Sequence, residues 1–81
     1  MAIEHIQSLG EILLDPENKI QIDIQDVNGN VKVNVRQWYV GSNGDWYPTK
    51  KGFMLSLNEA RELGSALMLS QRALDIRVNQ R

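Results

Sequence analysis

The segment Lys19–Val40, KIQIDIQDVNGNVKVNVRQWYV, leaves the chain little freedom about its architecture. Isoleucines at 20, 22 and 24 alternate with Gln21, Asp23 and Gln25, the two-residue period of a strand with one apolar face. Asn28-Gly29 is the dipeptide favoured in two-residue hairpin turns, where both central residues take positive φ. The return run alternates again, with Val31, Val33 and Val35 against Lys32, Asn34 and Arg36. Closing the turn with Val27 opposite Asn30 puts Ile24 opposite Val33 and Ile22 opposite Val35. Turn and pattern therefore demand the same register. The other face then holds Lys32, Asn34, Arg36 and Trp38 in a row.

The flanks add further elements. In the first fourteen residues, Ile3, Ile6, Leu9, Ile12 and Leu13 follow a loose helical period that Gly10 interrupts; a short strand within Glu11–Leu14 fits as well. Asp15–Asn18 reads as a turn or loop. Gly41–Asp45 reads as a second hairpin loop, followed by a strand from Trp46-Tyr47 that Pro48 shortens or confines to an edge. Thr49–Gly52 forms a turn or bulge, and Phe53–Leu55 a short fourth strand. Ser56-Leu57-Asn58-Glu59 has the form of a capping box. It predicts a helix from Leu57 to about Ala73, with Ala60, Leu63, Leu67 and Leu74 along its apolar stripe. Asp75–Arg81 is expected to be a polar, frayed or disordered tail. The expected fold is α+β: a curved four-stranded antiparallel sheet followed by one C-terminal amphipathic helix. Residues 1–18 form an extension, 19–74 the domain and 75–81 the tail.

Eighty-one residues make one domain with little core of its own, and without cysteine no disulfide supplements it. Association with a second copy is the simplest remaining way to bury apolar area, so a homodimer is expected. His5 is the sole histidine, and no zinc site is expected. No run approaches a membrane span and the first residues lack a leader pattern, which predicts a cytoplasmic protein without membrane contact. Glycine-rich phosphate loops, nucleophile–base arrangements and calcium-loop spacing are all missing, so neither an enzyme nor a cofactor is expected. His5 has no convincing acid partner nearby in sequence.

The net charge of -1 hides a gradient. Residues 1–30 hold six acids against Lys19 alone, while residues 31–81 hold eight bases against four acids. All tryptophan, tyrosine and phenylalanine falls in the basic part, where Arg36, Trp38, Tyr39, Trp46, Tyr47, Lys50, Lys51 and Phe53 crowd together. Rings stack on bases and cations meet phosphates, a combination suited to single-stranded nucleic acid. The same rings also suit a protein-interaction module that uses the aromatic sheet face as an anchor. About half of the five rings are expected to be buried against sheet or helix.

Val31–Tyr39 with its Arg36-Gln37-Trp38-Tyr39, then Pro48-Thr49-Lys50-Lys51-Gly52, then Leu55–Glu59, together resemble the PC4-type transcriptional coactivator family, over about Lys19 to Leu69. The compact form is that of a small phage or bacterial member. The resemblance implies a homodimer that binds single-stranded DNA, or melted duplex, with little sequence preference. It implies that Arg36, Lys50 and Lys51 hold phosphates, that Tyr39 and Trp38 or Trp46 stack bases, and that Gly52 shapes the groove; Lys32 would extend the basic track. Single-stranded RNA is the alternative ligand, and transcription or replication proteins are the further partners implied. The location would be the nucleoid in a bacterium or the host cytoplasm for a phage. The chain departs from the family's eukaryotic members at Val27, Asn28 and Asn30, where those members have an aromatic and lysines.

Overall fold

The computed structural model describes residues 3–79. Four antiparallel strands, β1 (Ile3–Asp15), β2 (Asn18–Val27), β3 (Asn30–Val40) and β4 (Trp46–Leu55), form one sheet in chain order; the helix α1 (Leu57–Asn79) follows. The central hairpin has the register that its turn and pattern require: Val27 pairs Asn30, Ile24 pairs Val33 and Ile22 pairs Val35. Asn28 and Gly29 take φ of 54° and 86°, as this turn demands. The capping box also forms. The Ser56 amide donates to Glu59 Oε1 at 2.8 Å and the Glu59 amide to Ser56 Oγ at 3.2 Å. Those bonds, the backbone one first, hold the Glu59 carboxyl below its usual range.

The sheet has four strands, but not the four read from the sequence. Trp46-Tyr47 and Phe53–Leu55 are the two ends of the single edge strand β4, joined through a bulge. The fourth place is taken by β1, a full thirteen-residue strand rather than a short one. Its helix-like spacing has a physical origin. Ile6, Leu9 and Leu14 are extra residues at three register shifts, so each bulge resets the alternation. The helix also runs past Ala73 to Asn79, because no glycine or proline follows to stop it. The expected tail from Asp75 is therefore helical as far as Asn79, and Gln80 and Arg81 lie outside the described residues.

The packing is inverted relative to an ordinary small domain. Among the described residues no hydrophobic side chain is buried, whereas Asp23 (2% exposed) and Asn34 (4%) are. Curvature explains this. Lys19 Nζ lies 2.8 Å from Glu11 Oε2 on β1 and 4.6 Å from the Trp46 ring centre on β4. Flat strands three spacings apart would lie about 14 Å from each other, so the polar face must be the concave one. Its middle pair, Asp23 opposite Asn34, sits at the bottom of the curl. The apolar face is convex, and α1 only partly covers it. Between them lies a cleft of about 370 Å³ lined by Ile12, Ile22, Val33, Leu55, Leu63 and Leu67, among others. The radius of gyration is 15.5 Å, against about 12 Å for a compact chain of this length. The expectation that half the rings are core is not met: Trp38 and Trp46 are half-buried, while Tyr39, Tyr47 and Phe53 are exposed. Among the described residues, no helix is long and apolar enough to cross a membrane.

Candidate nucleic-acid interface

Strand alternation places Lys32, Asn34, Arg36 and Trp38 on the concave face, opposite Gln25, Asp23, Gln21 and Lys19 respectively. Arg36 is held at two points. Its Nε donates to Asn34 Oδ1 at 3.3 Å and its Nη1 to the Thr49 carbonyl at 2.9 Å. Asn34 is a neutral acceptor, so the guanidinium is fixed without an ion pair.

The Thr49 carbonyl belongs to the bulge. Arg36 pairs Gly52 and Trp38 pairs Pro48, so Gln37 alone stands opposite Thr49, Lys50 and Lys51. Thr49 Oγ1 donates to the Gln37 carbonyl at 2.8 Å and accepts from the Lys51 amide at 3.1 Å, which closes the bulge. Glycine is required at 52 on steric grounds. A Cβ there would lie 2.5 Å from the Val35 oxygen and 2.7 Å from Arg36 Cα. A hollow of about 200 Å³ opens on the convex side of the bulge, lined by Ile20, Val35, Gln37, Lys51 and Phe53, among others. Lys50 and Lys51 are exposed. Among the described residues neither they nor Lys32 and Arg36 form a close ion pair, although Lys32 is near enough to Glu59 to help hold its carboxyl low.

The rings divide between the faces. Trp38 lies on the concave face, and Trp46, paired with Val40, lies on the same side at the next position. Tyr39 is the next residue after Trp38 on an unbroken stretch of β3, so it points to the convex face. There it meets Tyr47, ring centres 5.8 Å apart and tilted by 37°. Asn43 Nδ2 holds the Tyr47 hydroxyl at 2.6 Å. The structure thus gathers Arg36, Trp38, Trp46, Gly52 and Lys32 on one face, with Lys50 and Lys51 at its border bulge. It does not bring Tyr39 to them within one protomer.

Other residues of this face escaped the sequence reading. Thr49 positions Arg36 through its carbonyl across the bulge, and Asn34, already placed on this face by alternation, does so from two residues back on the same strand. Lys19 counted only as the lone base of an acidic half, although the hairpin register already set it opposite Trp38. His5 does meet an acid: its Nε2 lies 3.8 Å from Asp23 Oδ2 and 3.1 Å from Ser8 Oγ. That contact crosses from β1 to β2, so neighbouring sequence gave no sign of it.

A curled antiparallel sheet with a basic bulge, aromatic rings and one trailing helix defines a small domain of the α+β class. The model of the family Transcriptional Coactivator p15 (PC4) matches residues 14–66, well over half of the chain. The chain belongs to the PC4 family. Among solved structures it is similar to a PC4 homolog from Burkholderia pseudomallei K96243, at 23% identity and a TM-score of 0.74, covering 82% of this chain and 89% of that one. It is also similar to the bacteriophage T5 homolog of the eukaryotic coactivator PC4, a protein implicated in recombination-dependent DNA replication. There the identity is 24% and the TM-score 0.63, covering 94% of this chain and 92% of that one. Among curated proteins no relative matches.

Proposed function

We propose that the protein binds single-stranded DNA, or strands melted from a duplex, as a homodimer and with little sequence preference. The observation behind this reading is the set of four cations, Lys32, Arg36, Lys50 and Lys51, bordering a concave face that also holds Trp38 and Trp46. Phosphates would run along the bulge, with Arg36 pre-oriented by Asn34 and Thr49, while bases turn inward onto the tryptophans. Each stacked base adds roughly 1–3 kcal/mol regardless of its identity. Nothing in the proposal requires a catalytic step, a metal or a cofactor.

Packing supports the second copy. Leu63, Leu67 and the convex strands border an open apolar cleft, and Met68, Leu69, Leu74 and Ile76 are each more than half exposed along the outer helix. An apolar surface of this extent is unusual for a stable monomer. Exposed strand and helix faces of the same chain are the chemistry that covers it best. The setting would be transcription or DNA replication, inside a bacterial cell or a phage-infected host.

The test is anisotropy of labelled single-stranded, duplex and RNA oligonucleotides across a salt series, with sedimentation at the same concentrations. Tight, salt-sensitive binding of single strands by a two-copy species supports the proposal. Salt-insensitive capture of a protein partner, without retention on single strands, would favour the interaction-module reading instead.

A further inference from the structure

The end of the concave face beyond Arg36 holds a second group of side chains. Lys19 is the register partner of Trp38. Its ammonium lies over the Trp46 ring at 4.6 Å and is clamped by Glu11 Oε2 at 2.8 Å. The lysine side chain is only 11% exposed, while the Glu11 side chain is 60% exposed. The cation is therefore enclosed by the fold, and the anion on it faces open solvent.

Resting on the single-strand reading above, we propose that Lys19, Trp38 and Trp46 form an additional nucleotide subsite, and that Glu11 occupies it as a built-in stand-in for phosphate. A nucleotide entering this end stacks on an indole and brings its phosphate to Lys19, displacing the Glu11 carboxylate. The exchange swaps one anion for another on a cation that is already desolvated and oriented. Glu11 thus lowers the affinity for short or weakly held strands and yields to a continuous phosphate track.

The test is a double-mutant cycle on the full chain with Glu11→Gln, Lys19→Gln and both together, titrated with single-stranded oligothymidylate across a salt series. Glu11→Gln is expected to tighten binding about three- to tenfold when Lys19 is present and to have no effect when it is absent. Lys19→Gln is expected to weaken binding and to reduce the salt slope by about 0.7, the value for one phosphate contact on a single strand. In the free protein, Lys19→Gln should shift tryptophan emission, which checks the cation-ring contact apart from binding; an unshifted spectrum in a folded variant would overturn the subsite. Equal tightening by Glu11→Gln in both backgrounds would overturn it too, since that is a diffuse charge effect. Unchanged affinity and slope in both single variants, while loss of Lys50 and Lys51 still weakens binding, would remove the subsite and leave the proposed function standing. Absence of single-strand binding by the unaltered protein would remove both.

Discussion

The two faces of the sheet reverse the usual assignment of polar and apolar surface. On the concave face Asp23 and Asn34 are almost fully buried, within the curl of the sheet and against the side chains of His5, Gln21 and Arg36. On the convex face Ile12 (53% exposed) and Phe53 (51%) stay open beside a helix whose Leu67 is 59% exposed. Burial in this protomer therefore follows curvature rather than hydrophobicity. The difference separates two tasks. On the concave face Arg36 is held by Asn34 and by the Thr49 carbonyl of the bulge. The convex face holds the unspent hydrophobic driving force, and on the proposed reading a second copy covers it.

Substitutions on either side test that separation. The largest effect is expected from Leu67→Glu, which places a charge in the cleft. It should convert the assembly to single copies in sedimentation and lower thermal stability, while leaving the concave charges untouched. Next, Gly52→Ala drives a Cβ into the β3 backbone and should cost roughly 1–3 kcal/mol in denaturant unfolding, with DNA affinity falling as Arg36 shifts. The double change Lys50→Ala, Lys51→Ala should leave unfolding unaltered and flatten the salt dependence of single-strand binding by about 1.4 in slope, two contacts' worth. Unchanged affinity and slope would take the bulge lysines out of the interface. Ser56→Ala removes the cap and should cost about 1 kcal/mol.

The smallest effect concerns pH. The Glu59 carboxyl is held below its ordinary value of 4.5 by the Ser56 amide. Its contribution to stability is complete above that value and is lost as pH falls through the depressed one. Glu59→Gln should remove this acid-linked loss, so the unfolding midpoints of variant and wild type should converge as the solution is acidified.

Features set by neighbouring residues were legible in the sequence. Asn28-Gly29 with its flanking alternation determined the central register, and Ser56 with Glu59 marked the helix start. Features set by strand-to-strand contact were not. The β1 bulges at Ile6 and Leu9 mimicked a helical period, and only pairing with β2 resolves it. Pro48 allowed a break or an edge strand and Thr49–Gly52 a turn or a bulge; the edge and the bulge are what form, joining the two expected strands into one. The helix end was misplaced because polar residues after Ala73 suggested a tail, although none of them stops a helix. The split of Trp38 from Tyr39 was available from alternation alone, since adjacent residues on a strand face opposite ways. The segment's crowding of rings obscured it.

The most direct measurement uses tryptophan emission. Both tryptophans lie on the concave face, and the tyrosine pair lies on the convex one. Titration with unlabelled single-stranded DNA, followed in parallel by anisotropy of a labelled strand, should quench the tryptophans in step with binding, and both signals should weaken together as salt rises. Binding seen by anisotropy with tryptophan emission unchanged would place the strand elsewhere and contradict the assignment of the concave face.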